Sequence, residues 1–562
     1  MMPLPALRWG DLRVKLFLAL LFTLLNGIKP LTIDDTLFHQ YALQAAAHPF
    51  DPLGFSILWY QWTQPAITNI APPVFPYWWS LVLHLSDEPF FWKLWLFPFA
   101  ALFVFALHGL FRRFATTLEM PLLFLTVLSP VFLPSFNLML DVPALALRLM
   151  ALHVFFRAVD RSSLRGAIVA GLLAGLAAQT KYTGLLAPAI ILLYGGLFRR
   201  MRLALIAASV AATLFVGWEM VILLKYGASH FLLQWHWVDG GLSEKARLLW
   251  PLMTILGGVL SPLILLGLVA LGVRRTVVNS VGVVLLLCYL LIALLEVGVI
   301  MAMQFHFGSE DPMIKHLALP HILYGVLGLA VCIVTLLSAK GILRSSRRER
   351  EWFLLLWLLI EVVGYFAITP FPAVRRVMGI AVAATMILGR LAAQACRSAP
   401  RRTLLRGVVV YGIVLGLFFY GMDLREAFAG KLAVARAASL IHLDRPTATV
   451  WYTGHWGFQF YAERAGMRPV ETERSHLMAG DWVVMPDQRY EQQRVRMDTP
   501  ALQAEAEVHV TDWLPLRTVM AFYSGDAPLE HHDGPRIAVT IYRVVQDFIP
   551  ESMVVQRSGD PL

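Results

Sequence analysis

Charge is scarce in this chain. Asp, Glu, Lys and Arg together make up 15% of its 562 residues, where a soluble globular protein carries about 25%. Cysteine is scarcer still. Cys288, Cys332 and Cys396 lie in three separate apolar runs, so no paired spacing points to a disulfide framework or a metal site, and each reads as a small buried hydrophobe. No Walker loop, Rossmann glycine fingerprint, HExxH or GxSxG in a suitable context occurs, which removes support for nucleotide-driven and common hydrolase chemistry. The net charge of +10 is not gathered into a basic stripe with interleaved aromatics, so nucleic acid is not an expected partner. Neither an internal repeat nor a low-complexity segment is visible.

Long apolar runs are present instead. Apolar residues reach 58%, and runs of about 17 to 25 residues, enough to cross a bilayer as a helix, recur from residue 14 to residue 421. Spans are expected near 14–31, 90–111, 119–136, 142–158, 164–181, 183–198, 203–224, 249–272, 278–303, 316–338, 352–369, 374–395 and 404–421, about 13 in all. The first is read as a retained span rather than a secretory signal, because no small-residue cleavage site follows it and Lys29-Pro30 does. With the N-terminus inside, nearly every basic cluster falls on the inner side: Arg112-Arg113, Arg157 to Arg165, Arg199 to Arg202, Arg274-Arg275, Lys340 to Arg350 and Arg397 to Arg406. Lys181, Lys225, Lys315, Arg375 and Arg376 fall outside, against that bias. They read either as snorkelling anchors or as cations that hold an anionic substrate group.

The expected organisation is an all-α polytopic bundle over 1–422, with a first extracytoplasmic loop at 32–89, followed by a small soluble α/β domain at 423–562. Residues 423–442 read as an amphipathic helix leaving the membrane. Beyond them, short β-rich runs (ATVWYTG, DWVVMP, VHVTDW, IAVTIYRVV) alternate with Gly, Pro and Asp. The aromatic stretch Trp451 to Tyr461 reads as strand core rather than as a sugar platform.

The chemistry-bearing residues gather in the outer loops. Asp34 and Asp35 open the first loop at the point where span one should leave the bilayer, a depth at which acids are costly and usually functional. They read either as first-turn complements of a short helix that Thr32 caps or as a general base at the membrane surface. Their mutual repulsion can raise one pKa. His39 and Asn69 sit on the same loop as acceptor-side candidates. The loop ends in Pro72-Pro73, an extended turn, and an interfacial helix is expected at about 75–85. Asp141 begins the fourth span just before Pro143, as a helix cap, a site residue or both. Arg375-Arg376 follow Thr369-Pro370-Phe371-Pro372, a rigid entry, and paired guanidiniums suit bidentate phosphate binding. His306, Glu310, Asp311 and His316 match no tight metal template. No cofactor is certain, and a divalent metal stays open.

This order of motifs resembles a family. Asp34-Asp35 after span one, Pro72-Pro73, Leu138 to Pro143 with Asp141 inside it, Gly171 to Leu176 leading to Thr180-Lys181-Tyr182, and Phe371 to Arg376 together look like a membrane glycosyltransferase of the GT-C fold. The closest group is the protein O-mannosyltransferase and lipid A aminoarabinose transferase superfamily. The resemblance covers roughly residues 14–421. It implies an inverting enzyme in the bacterial cytoplasmic (inner) membrane, with its C-terminal domain extracytoplasmic, that moves a sugar from a polyprenyl-phosphate carrier to a glycolipid or polysaccharide acceptor. It also implies that Asp34 deprotonates the acceptor hydroxyl, that Asp141 helps to position it, and that Lys181, Arg375 and Arg376 meet the lipid phosphate; Asp35, beside Asp34, is the third catalytic candidate. Three positions depart from the pattern: Asp35 stands where the family often has Glu, Ala71 where the aminoarabinose transferases have a Lys before the double proline, and Arg376 where the family's motif has Tyr. They point to a sugar transferase other than the aminoarabinose enzymes. The competing readings are a flippase for lipid-linked sugars, which usually shows related halves and broken mid-membrane helices, and a non-catalytic envelope scaffold.

Overall fold

A computed structural model describes residues 9–553 apart from 60, 70, 237–240, 295–318, 345–347, 397–398, 443–447, 488–492, 494, 497–498, 519–522, 524 and 533. The candidate metal group of His306, Glu310, Asp311 and His316, and the outer Lys315, lie outside the described residues.

The chain is a multi-pass, mostly helical membrane protein with a C-terminal sheet. Every span expected from the sequence has a helix beneath it. Among the described residues nine helices are long and apolar enough to cross a membrane. The rest are short, or carry charge in their first turns, as the helix Trp9–Gly27 does. The span expected over 119–136 is a correction in detail: it is helical only over Glu119–Val127. Pro130 and Pro134 supply no N–H and clash with the preceding turn, so residues 128–140 run as turns instead.

By internal contacts the chain forms two units: Met1–Asn26 with Lys93–Met422 and Leu516–His532, and Gly27–Trp92 with Asp423–Pro515 and Asp533–Leu562. In the first, the helix Leu249–Ala270 is central, with 89% of its apolar window buried, while Met201–Tyr226, at 17%, turns its apolar surface outward. Helices with little hydrophobic drive between them approach through small residues. A methyl on Gly257 would overlap the Tyr324 carbonyl, and one on Gly328 would overlap the Met253 carbonyl, so these helices cross at backbone contact. The late segment Leu516–His532 also belongs here. Its strands Leu516–Arg517 and Glu530–His531 pair antiparallel, and the Tyr324 hydroxyl donates to the Leu529 carbonyl at 3.1 Å.

The second unit holds the first loop and the sheet. The loop folds as a helix Asp35–Ala47, an antiparallel hairpin Ser56–Trp59/Trp62–Pro65 and a helix Val74–Leu83. The sheet runs in the order Arg468–Pro469, Val450–Tyr452, Trp482–Pro486, Ile537–Val544, Leu502–Val510; the first two pairings are parallel and the last two antiparallel. All four β-rich runs of the sequence contribute strands. The stretch Trp451 to Tyr461 is corrected. Only Trp451 and Tyr452 are strand, because Gly454 turns the chain at φ 95° and Trp456–Arg464 is helix. The amphipathic helix expected at 423–442 is no separate element. It continues the 44-residue helix Ala399–His442, about 66 Å long at 1.5 Å per residue and about twice the hydrocarbon thickness.

Lys29 and Asp423 form an ion pair at 2.6 Å with both side chains 0% exposed. It joins the start of the first loop to the sheet-side continuation of that long helix. Removing one partner of a buried pair strands the other charge, whereas replacing both by apolar groups is often neutral. Lys29→Met should therefore lower unfolding free energy by about 3 to 5 kcal/mol, and Lys29→Met with Asp423→Leu should recover most of it. Thermal unfolding in detergent measures both; equal losses in the single and double variants would count against the pair.

Candidate functional site: a buried cationic cluster

Three breaks in helical structure place charged side chains together in the first unit. After the turns at 128–140, the helix Asp141–Asp160 begins at Asp141 itself, with Leu140 in the cap position and no side-chain capping bond from it. The Asp141 carboxylate bonds Lys181 Nζ through Oδ1, and its Oδ2 lies 3.8 Å from Arg375 Nη1. Lys181 stands where Leu164–Ala178 has ended and Tyr182–Leu185 begins, in an extended conformation (φ −158°, ψ 140°). That break turns its side chain toward Asp141 rather than along a helix face. Arg375 and Arg376 occupy a single 3-10 turn, Val374–Arg376, after an extended Ala373. Arg376 lies over the Phe371 ring, 4.9 Å from its centroid. The side chains of Asp141, Lys181 and Arg375 are 5%, 10% and 9% exposed. That burial removes the anchor reading for Lys181 and Arg375, since a snorkelling cation reaches water.

Asp141, Arg375 and Arg376 line a cavity together with Arg148, Glu361, Tyr365, Thr369 and Gly379. Arg148 Nη2 pairs with Glu361 Oε1 at 3.0 Å, and the Trp357 indole N–H donates to the same oxygen at 2.9 Å. Arg148 is 4% exposed, and its Nε has no hydrogen-bond partner among the described residues. Arg148 and Glu361 lie inside predicted spans as isolated charges. An intramembrane charge is a functional-site signal by default, so that rule applied residue by residue would have found them. Asn137 and Tyr523, hydrogen-bonded to each other, also border the cluster; Tyr523 lies 6.0 Å from the Arg375 guanidinium. Nothing in the sequence signals Tyr523, which lies 386 residues beyond Asn137 in chain order.

Asp34, Asp35, His39 and Asn69 belong to the second unit. Thr32 does not cap the helix Asp35–Ala47. The carboxylate of Asp35, 0% exposed, reaches back and accepts from the Thr32 N–H at 3.1 Å. Asp34 is the half-buried residue before the helix and makes no capping bond. The chain reaches it through Ile33 at φ 49°, a left-handed conformation that a branched side chain rarely adopts; such strain persists where surroundings over-determine it and clusters at functional sites. Those surroundings are visible. The Leu31 N–H donates to the Tyr461 hydroxyl at 3.0 Å, the Thr36 hydroxyl donates to the Trp456 carbonyl at 2.6 Å, and a methyl on Gly457 would overlap the Leu31 carbonyl. The helix Trp456–Arg464 thus clamps the residues on both sides of Asp34. Asn69 closes the end of the hairpin, accepting from Gln64 Nε2 at 3.2 Å. His39 stacks on Trp92 at 4.8 Å, with Trp79 and Phe460 also around it. Burial, reinforced by the Arg464 guanidinium, holds its imidazole down to about 4, so it is neutral at physiological pH. Among the described residues no three His, Cys, Asp or Glu side chains are grouped to hold a metal ion.

The chain is similar to an archaeal oligosaccharyltransferase. The Archaeoglobus fulgidus enzyme, solved with zinc and sulfate, is 14% identical at a TM-score of 0.46 over 82% of this chain. This chain spans 62% of that protein's length. AglB of the same organism, solved with an inhibitory peptide and a dolichol-phosphate, matches at 14% identity and a TM-score of 0.44, over 82% of this chain and 65% of that one. ArnT of Cupriavidus metallidurans bound to undecaprenyl phosphate matches at 15% identity and a TM-score of 0.38, over 86% of this chain and 94% of that one. No family model and no curated protein matches the sequence.

Two measurements test this geometry. A methyl on Gly379 would overlap both Glu361 Oε2 and Arg148 Nη2, so Gly379→Ala should cost about 1 to 3 kcal/mol by overpacking, while Gly217→Ala, whose methyl meets nothing within 4 Å, should not destabilise. Equal melting of the two would show that the pair is not held at Gly379. For His39, the unfolded imidazole titrates near 6.5 and the folded one near 4. The stability held by its neutral form is therefore complete above pH 6.5 and is lost as the pH falls toward 4, by at most about 3 kcal/mol. Wild type should lose that much relative to His39→Phe between pH 7 and pH 4 in chemical denaturation; parallel profiles would refute it.

Proposed function

We propose that this protein is an inverting glycosyltransferase that moves a sugar from a polyprenyl-phosphate carrier to a lipid or polysaccharide acceptor on the outer face of the cytoplasmic membrane. One observation carries the reading: the cavity at Asp141 is lined by three guanidiniums and two carboxylates, with the Lys181 ammonium bonded to one of those carboxylates. Guanidiniums gathered at one cavity suit a phosphate, which they bind bidentately.

In the proposed reaction Asp34 accepts the proton of the acceptor hydroxyl. The oxygen attacks the anomeric carbon from the face opposite the carrier, a new C–O bond forms, and the bond to the carrier phosphate breaks with its electron pair on the phosphate oxygen. Lys181, Arg375 and Arg376 stabilise the negative charge that grows there. Asp141 acts as a positioning residue: its carboxylate is engaged by Lys181 and Arg375, and it fixes both cations before the donor binds. Asp35 holds the turn that presents Asp34. The scheme assigns no step to a metal ion. A flippase reading lacks a specific supporting observation among the described residues.

Purified protein given a polyprenyl-phosphate sugar and envelope lipids should release polyprenyl phosphate. Asp34→Asn should lower turnover by about 10² to 10⁴ with an unchanged melting temperature. Arg375→Gln and Arg376→Gln should lower kcat as well as raise donor KM. Undiminished turnover in Asp34→Asn removes it as the base, and carrier flipping without sugar transfer in proteoliposomes would replace the enzyme by a transporter.

A further inference from the structure

Away from the cluster, the first unit carries a second cavity. Between the helix Arg275–Leu294 and the early turns of Ala399–His442 lies a groove of about 480 Å³, floored by Leu265. Its lining is polar at one end, with Arg275, Asn279 and Thr403, and mainly apolar beyond, with Val283, Leu286 and Val408 and the Tyr411 side chain furthest along. The polar positions fall in the first turns of both helices and the apolar ones one to three turns further in, so the groove runs along the helix axes. Two glycines keep it open. A Cβ on Gly407 would meet nothing within 4 Å, and one on Gly282 would meet only Leu265, at 3.9 Å. Residues 274–294 and 399–422 together contain five arginines (274, 275, 401, 402 and 406) and no carboxylate. An anionic head at the arginine end and a hydrocarbon tail along the glycines match both halves of this lining.

We propose that the groove holds an anionic glycerophospholipid, with its phosphate at Arg275 and one acyl chain laid along Gly282 and Gly407. The charge pattern separates this ligand from the sugar carrier. Asp141 begins its helix, while Arg157 lies in that helix's last turn. The arginine clusters mark the cytoplasmic ends of the spans, which puts the Arg275 end of the groove on the opposite membrane face from a carrier phosphate at Arg375. The groove is therefore a site for a resident lipid of the inner leaflet, and it stands whether or not the transferase reading does.

Native mass spectrometry of the full chain in detergent tests it, by titration with phosphatidylglycerol, phosphatidylcholine of the same acyl chains, and polyprenyl phosphate. Wild type should retain one phosphatidylglycerol in preference to phosphatidylcholine. Arg275→Gln should weaken phosphatidylglycerol by about fivefold and erase the preference, since one basic residue near a membrane surface contributes about 1 kcal/mol. Gly407→Leu should fill the groove and lower occupancy by about tenfold or more, the loss of a few buried methylenes. Gly217→Leu is the control: it places the same side chain where a Cβ also meets nothing within 4 Å, outside the groove, and should bind as wild type does. The proposal is overturned if Gly407→Leu and Gly217→Leu bind alike, if phosphatidylcholine is retained equally, or if polyprenyl phosphate is the lipid that Gly407→Leu excludes.

Discussion

The cost of charge in an apolar bundle governs the rest of this structure. Asp141, Lys181 and Arg375 are tolerated there because each neutralises another, and the backbone is broken at three places to let them meet. The helix before Asp141 stops early, Lys181 sits in an extended step between helices, and Arg375 rides on a 3-10 turn. Regular helices would have pointed these side chains along their own faces. Arg148 and Glu361 repeat the solution deeper in the same cavity, with Gly379 leaving room for both heads.

The other unit solves a different problem, how to hold a carboxylate still at the end of a span. Ile33 is left-handed, and the strain is balanced by the helix Trp456–Arg464, itself entered through a left-handed Trp456 at φ 64°. The C-terminal sheet domain thus has a structural task within the first loop. Its aromatic stretch folds as a clamp because Gly454 ends the strand just before it. The buried pair of Lys29 with Asp423 ties down the residues that lead into the same turn.

Much of this was legible in the residues. Apolar runs of membrane length gave the helices, turn residues separated the late strands, and the out-of-place cations Lys181 and Arg375 were recognisable because they broke the charge bias of the loops. Arg148 and Glu361 were equally readable, as charges inside expected spans. The hairpin at Ser56–Pro65 was missed because its strands, four residues each, show no clear alternation. Tyr523 and the clamp at Trp456 had no local signal at all, since each is defined by a contact hundreds of residues away.

By itself, then, the sequence determined that the chain crosses a membrane many times and where its apolar helices lie. Those properties follow from local composition and from the cost of polar groups in hydrocarbon. Only the tertiary structure decided which of the chain's charges meet. Pairing depends on where broken helices aim their side chains, on glycines such as Gly379 and Gly457 that admit a close approach, and on late segments that return to early ones. None of these has a period or a composition to read.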